Sequence, residues 1–99
     1  MEPELRHLPI PDPVLKDSQA IELLRVWAAR GGQHVSLAAE IWPDPRAWGV
    51  FLVDLAKHVA NAYEQTTSIN RTDALRRLKE GFDVEWATET DRPSGQVVD

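Results

Sequence analysis

Two adjacent glycines, Gly31 and Gly32, are flanked by segments that match each other across the pair. With a two-residue turn at the glycines, Trp27 faces Ser36 and one face of the resulting hairpin is wholly apolar. That face carries Leu24, Val26, Ala28, Val35, Leu37 and Ala39. This segregation predicts a β-hairpin with strands at about 23–29 and 33–39.

The first flank also fits a helix, so residues 20–29 allow two interpretations. Apolar residues recur there at helical spacing, namely Ala20, Leu23, Leu24, Trp27 and Ala28. The hairpin accounts for both flanks together, whereas a helix accounts for the first flank alone. The glycine pair also suits a tight hairpin turn, and we therefore favour the hairpin.

A first long helix is predicted over about 45–66. Asp44 is a good N-cap, and Pro45 suits the first helical position because no partner is needed there for the missing N–H. The apolar residues of this segment cover an arc of roughly 200°, whereas one packing partner requires only ~100°. We expect the hairpin and the last helix to be its two partners.

The last helix is predicted over about 71–87. Asn70 or Thr72 can cap it. Its apolar residues recur on one face, at Leu75, Leu78, Phe82 and Trp86. The sequence therefore predicts an α+β domain in which both helices pack on the apolar face of the hairpin.

The two ends of the chain differ from this middle part. Four prolines within residues 1–16 favour an extended arm, because each fixes φ and lacks a backbone donor. Residues 89–99 are polar and contain Pro93 and Gly95, which predicts a flexible tail. Residues 17–88 then form a single domain.

Composition excludes several classes of function. The chain has no cysteine, so it contains no disulfide and no thiolate metal site. Its net charge of −5 argues against binding to nucleic acid or to anionic membranes. No stretch approaches the ~18 apolar residues of a membrane span. We expect a cytoplasmic protein without a cofactor.

Histidine combinations give no catalytic or metal-binding set. His34 and Ser36 are about 6.6 Å apart along a strand, beyond the reach of a nucleophile and its base. Asp54 and His58 are four residues apart on the first long helix and can meet on its surface. A metal site needs a third ligand, so we interpret them as a solvated pair.

The mixed face of the hairpin carries the only suggestive set of groups, namely Arg25, Trp27, His34 and Ser36. An isolated two-stranded sheet is marginally stable, so three interpretations of this face are open. It is covered by a second copy in a dimer, or by the arm or tail of the same chain, or it binds a small molecule with Trp27 stacked on a planar ligand.

The runs GGQHVSL, PDPRAWGVFLVDLAKHVANAY and GFDVEWATETDRPSG resemble a family of small bacterial proteins, the domain of unknown function numbered 5076. The resemblance covers residues 18–95, and AWG followed by the D-L-A-x-H-V-A-N helix is its distinctive part. It implies a stand-alone domain of the bacterial cytoplasm, with no established activity, cofactor or catalytic residues.

The function expected from these observations is a non-enzymatic interaction or accessory domain that acts as a homodimer. The alternative is a small-molecule-binding or enzymatic domain that uses Arg25, Trp27, His34 and Ser36.

Overall fold

The structure is a computed structural model that describes residues 6–88. Its elements follow in the order α1 (Asp12–Leu15), β1 (Leu24–Ala29), β2 (Gly32–Leu37), α2 (Arg46–Thr66) and α3 (Arg71–Ala87). The strands form one antiparallel sheet, and α2 packs against α3. The predicted α+β order of a hairpin followed by two helices is confirmed, and the ambiguous first flank is a strand.

The turn of the hairpin lies one residue before its predicted position. Arg30 and Gly31 form it with φ values of 52° and 74°, and Gly32 is the first residue of β2. Positive φ at both turn residues is typical of a type I′ turn, whose twist matches that of the flanking strands. Glycine adopts this conformation readily, whereas in an L residue such as Arg30 it destabilises the folded state by about 1–2 kcal/mol.

The register consequently differs by two residues from the predicted one. The facing pairs include Leu24 with Leu37, Arg25 with Ser36, Val26 with Val35, and Trp27 with His34. A shift of two leaves every side chain on its predicted face. The observed register places branched apolar side chains directly opposite each other, and each favourable pair contributes ~0.2–1 kcal/mol. The two such pairs, Leu24 with Leu37 and Val26 with Val35, together contribute roughly as much as the left-handed conformation of Arg30 costs.

The turn can be tested by substitution at three positions. We expect Arg30→Asn to raise the free energy of unfolding by roughly 0.5–1 kcal/mol, because asparagine tolerates positive φ. We expect Gly31→Ala to lower the free energy of unfolding by about 1 kcal/mol, because alanine disfavours the positive φ of this position. Gly32→Ala is the matched control and should not destabilise, because Gly32 lies in a strand. Urea unfolding measures all three, and equal damage from Gly31→Ala and Gly32→Ala would contradict the observed turn.

A polar side chain just before each long helix binds a backbone N–H of its first turn and helps to define where the helix begins. The Asp44 carboxylate accepts a hydrogen bond from the Arg46 backbone N–H at 3.0 Å. The N-cap is Pro45 rather than the predicted Asp44, and α2 begins at Arg46, one residue after the predicted start. Asn70 precedes α3, and its side-chain oxygen accepts from the Asp73 N–H at 2.8 Å. Of the two caps considered from the sequence, Asn70 is therefore the one used.

Removal of this cap should destabilise the protein. Asn70→Ala is expected to lower the free energy of unfolding by about 1 kcal/mol, because the Asp73 N–H loses its partner at the helix start. Thr72→Ala is the matched control, since Thr72 lies inside α3. Thermal or urea unfolding gives both values, and a larger loss from Thr72→Ala would show that the cap is misassigned.

Helices α2 and α3 meet through small side chains. Ala60 and Ala74 are 0% and 4% exposed, and they are the buried hydrophobic residues within residues 6–88. Near the connecting turn, Arg71 donates from its backbone N–H to Glu64 and from Nε to Asn61, both at 2.8 Å. The helical pair is thus fixed by two alanines and by polar contacts at one end.

The backbones of the hairpin and of the two long helices are not in close contact. No Cα atom of either strand lies within 8 Å of a Cα atom of α2 or α3. Trp42, in the segment between β2 and α2, packs on α2, with its ring centroid 4.8 Å from that of Trp48 and 6.0 Å from that of Phe51. Several residues of the apolar hairpin face are half-buried, namely Leu24, Val35 and Leu37. The packing of the helices on this face stays a prediction.

The predicted extended arm contains one helical turn, α1. Pro13 is compatible with it because it lies in the first turn, where the missing N–H needs no partner. All residues from Arg6 to Glu22 are exposed, so the described part of the arm buries little of its apolar surface. Residues 1–5 and the predicted tail at 89–99 lie outside the described residues.

Candidate functional site

The four residues singled out on the mixed face of the hairpin lie together in the structure. Arg25 faces Ser36 across the strands, and Trp27 faces His34. Directly opposite residues in an antiparallel pair have Cβ atoms ~4.5–5.5 Å apart. The two pairs are neighbours along the strands, so the four side chains form one compact patch. We call these four residues the hairpin patch.

Hydrogen bonding fixes the orientation of the His34 ring. Its Nε2 lies 3.0 Å from the backbone carbonyl oxygen of Ala29. Because a carbonyl only accepts, Nε2 carries the hydrogen and Nδ1 is the acceptor in the neutral ring. His34 is exposed, and Trp27 opposite is half-buried. The pair offers one aromatic plane beside one polar ring.

Arg25 is held by Glu22 rather than by another member of the hairpin patch. The Glu22 Oε2 atom accepts from Nη2 at 2.8 Å and from Nε at 3.2 Å. This hydrogen bond and the negative charge of Glu22 raise the pKa of the Arg25 guanidinium. The contact partly neutralises the cation, which weakens the patch as a site for anions.

The geometry of the hairpin patch does not assemble a nucleophile and a base. Ser36 faces Arg25, and the ring of His34 is bonded to a main-chain carbonyl. A base for a serine needs contact with the hydroxyl within ~2.6–3.2 Å and a third group that orients the base. Neither contact is present, and the patch is better suited to binding than to proton transfer.

A second region with polar groups lies between the two long helices. A groove of about 430 Å³ is lined by Tyr63, Ile69, Ala74, Arg77 and Leu78. It is mainly apolar, and Arg77 contributes its charged group. On α2, Asp54 and His58 are both exposed, and residues 6–88 contain no group of three or more metal-ligating side chains.

Large apolar surfaces are the feature that sequence reasoning did not locate. Within the described residues, fourteen large hydrophobic residues are exposed, and they are distributed over the arm, the hairpin and both long helices. The most exposed in a helix is Trp86 at 79%, which stacks on Phe82 with ring centroids 5.5 Å apart and planes 25° apart. The i, i+4 spacing of these two aromatics is the signal that could have indicated the pair.

Helix α2 carries a second exposed apolar stripe. Its members recur at helical spacing and are half-buried or exposed, namely Trp48, Leu52, Leu55 and Val59. Of the two partners predicted for α2, the last helix is the one whose Cα atoms lie within 8 Å of it. Trp42 also packs on α2, through the rings of Trp48 and Phe51.

Comparisons with known proteins agree with the fold. A family model described as "Domain of unknown function (DUF5076)" matches residues 7–90. A solved structure described as a "putative pyruvate dehydrogenase from the photosynthetic bacterium Rhodopseudomonas palustrus CGA009" is 30% identical, with a TM-score of 0.73. The match covers 97% of this chain and 98% of that one. No curated protein matches the chain. None of the helices within residues 6–88 is long and apolar enough to cross a membrane.

Proposed function

Because the chain belongs to the DUF5076 family, whose description assigns no activity, we propose a function from its surfaces. We propose that it is a non-enzymatic interaction domain that acts as a homodimer. This agrees with the resemblance noted in the sequence to a family of small bacterial proteins, and we place the domain in the bacterial cytoplasm as part of the proposal.

One observation carries the proposal, namely the near absence of a core within one copy. Only two alanine side chains are buried among residues 6–88, while large aliphatic and aromatic side chains are exposed. Burial of apolar surface is the main favourable term in folding, at about 25 cal/mol per Å². A domain with so little buried apolar surface requires a partner that covers its exposed side chains.

The exposed area is large enough for a stable interface. From their exposed fractions, the fourteen large hydrophobic residues together present on the order of 1,500 Å² to solvent, so about half of this area gathered on one side would equal the roughly 800 Å² that a standard interface takes from each partner. A second copy is always available at the same concentration, and closed two-fold dimers are the commonest oligomers. The net charge of −5 supports a protein rather than a nucleic acid as the partner.

Sedimentation equilibrium over nanomolar to micromolar concentrations tests the homodimer. We expect a mass of two chains at micromolar concentration, and a melting temperature that rises with protein concentration because association stabilises the fold. A single-chain mass at all concentrations, with a concentration-independent melting temperature, would refute the proposal.

The hairpin patch supports a second candidate function, the binding of a planar small molecule. The observation that favours it is the half-buried Trp27 ring directly opposite the oriented imidazole of His34. An aromatic plane with nearby polar groups is a common arrangement in ligand sites.

A fluorescence experiment tests whether the hairpin patch binds a planar small molecule. In a variant that retains Trp27 and has the other tryptophans replaced by phenylalanine, an uncharged planar aromatic amide such as benzamide should quench Trp27 emission saturably. His34→Ala should weaken that binding by a factor of about 10, the loss expected for one hydrogen bond. His58→Ala, at an exposed histidine of α2, is the matched control. Lack of saturable quenching at millimolar benzamide, or equal effects of the two substitutions, would count against the patch.

The activity in the description of the similar structure is not part of this proposal. An active site for carbon–carbon bond chemistry needs polar groups held out of water, and no described polar or charged residue is buried. The surfaces of this chain therefore support association and not catalysis.

A further inference from the structure

We propose that the groove between α2 and α3 binds a small organic carboxylate, with the apolar part of the ligand inside the groove and its carboxylate on Arg77. The groove has a volume of about 430 Å³ and is lined by Tyr63, Ile69, Ala74, Arg77 and Leu78. This volume lies within the ~300–1,000 Å³ of ordinary small-molecule sites. One chain forms the whole groove, so the proposal does not depend on the homodimer.

The floor of the groove is a small residue at the place where the two helices meet. Ala74 is only 4% exposed and still lines the groove, so it lies at the bottom. Its side chain ends at Cβ, which leaves room between the larger side chains around it. Ile69 and Leu78 are two of these, and both are half-buried. The lower part of the groove is therefore apolar and suits the hydrocarbon or aromatic part of a ligand.

The polar groups of the groove belong to its more exposed residues. Tyr63 on α2 is 45% exposed, and Arg77 on α3 is exposed as well. At about 100° per residue, Arg77 lies roughly 60° around α3 from Ala74, on the same side of the helix. A guanidinium pairs with a carboxylate through two parallel hydrogen bonds, and a phenol hydroxyl can donate one more. The groove thus combines an apolar floor with donors for an anion at its rim.

Arg77 is available to a ligand because the carboxylates nearest to it along α3 are bound elsewhere. Asp73 precedes it by one helical turn and Glu80 follows it by one turn. Both carboxylates pair with Arg76, at 3.7 Å and 2.8 Å respectively. Within residues 6–88, Arg77 itself makes no ion pair and no side-chain hydrogen bond. A carboxylate in the groove would supply the anion that this guanidinium lacks.

The charge of the groove favours a monocarboxylate over a phosphate ester. Among the described residues that line the groove, Arg77 is the only charged one. It balances the single charge of a carboxylate, whereas a phosphate monoester carries about 1.5 to 2 negative charges near neutral pH.

The acidic character of the whole chain makes this local cation important. A net charge of −5 disfavours anions over the surface in general. An anion therefore depends on a cation without a partner, and on an apolar part that is removed from water in the groove. Both conditions are met between α2 and α3.

A nuclear magnetic resonance titration of the full chain, labelled with ¹⁵N, tests the site. The probe is 3-phenylpropanoate, which joins a carboxylate to an aromatic ring, and 3-phenylpropanamide is its uncharged counterpart of similar shape. We expect saturable shifts centred on the backbone amides of Tyr63, Ile69, Ala74 and Leu78, with a dissociation constant on the order of 1 mM for a ligand of this size. The amide should bind about 5- to 10-fold more weakly, because it lacks the charge-assisted contact.

Arg77→Gln should weaken the binding of 3-phenylpropanoate by about 5- to 10-fold and change the binding of the amide less than about twofold, because it removes the charge from the rim. Arg46→Gln is the matched control. Arg46 is exposed at the start of α2, roughly 25 Å along the helix from Tyr63, so the same charge is removed far from the groove. Its effect on either dissociation constant should be less than about twofold.

Lack of saturable shifts up to about 20 mM of the probe would overturn the proposal. Equal affinities for the acid and the amide, or equal weakening by Arg77→Gln and Arg46→Gln, would do the same. Shifts that are largest on the hairpin would place the ligand elsewhere and also overturn it. In the ligand-free protein, nuclear Overhauser contacts of the groove with residues 89–99 or with a second copy would assign the groove to a protein segment instead. Sedimentation decides the homodimer separately from all of these outcomes.

Discussion

Phe82→Lys is expected to weaken dimerisation at least about 30-fold, which corresponds to the ~2 kcal/mol of an interface hot spot. Phe82 is 54% exposed within one copy and stacks on Trp86, so the substitution removes little packing from the single chain. In the proposed dimer, it places an ammonium group in an apolar contact where its hydration is lost. Sedimentation equilibrium of the wild-type and substituted proteins gives the two dissociation constants.

Val84→Lys is the matched control for this experiment. Val84 is 66% exposed on the same helix and lies about 200° around it from Phe82, so the same charge is introduced on a different side. We expect the dissociation constant of Val84→Lys to stay within about threefold of the wild-type value, as for a rim position. Equal weakening by both variants would show that the Phe82–Trp86 stack has no special part in association.

Ala60→Leu is expected to lower the free energy of unfolding by about 1–3 kcal/mol, a large part of the stability of a small domain. Ala60 is completely buried where α2 meets α3. The larger side chain cannot fit without moving the helices apart, and the contacts around Ala74 are then lost as well. Urea unfolding at a fixed protein concentration measures the change.

Ala62→Leu separates this packing effect from the chemistry of the substitution. Ala62 is an exposed residue of the same helix, so the added side chain meets solvent. Its effect should lie within about 0.5 kcal/mol of zero. If Ala60→Leu cost no more than Ala62→Leu, close approach of the two helices at Ala60 would be disproved.

Much of the local structure could be predicted because it depends on short-range patterns. The helix predicted at 45–66 is observed at Arg46–Thr66, and the one predicted at 71–87 is observed at Arg71–Ala87. Capping groups and turn residues act within a few positions, so the sequence displays them directly. The hairpin turn was misplaced by one residue because two glycines compete, and Arg30 was not expected to adopt positive φ.

The candidate site also contains features that the sequence could predict and features that it could not. The hairpin patch was predicted as a set, and the structure brings Arg25, Trp27, His34 and Ser36 together because alternation across strands survives a shift of two. The bond from His34 to the Ala29 carbonyl depends on the turn that was misplaced. Phe82 and Trp86 were predicted to lie on the packed face of the last helix, and their exposure could not be predicted because periodicity does not distinguish a covered face from an open one.

The sequence by itself determined the order of the hairpin and the two long helices, the bounds of those helices to within one residue, and which side of each is apolar. These properties follow from backbone geometry and from side-chain alternation, which involve only neighbouring residues. Only the tertiary structure decided that Trp42 packs on α2 and that large apolar side chains such as Val26 and Trp86 stay exposed within one copy. Hydrophobic burial is nondirectional, so an apolar face specifies that it must be covered but not which element or which molecule covers it.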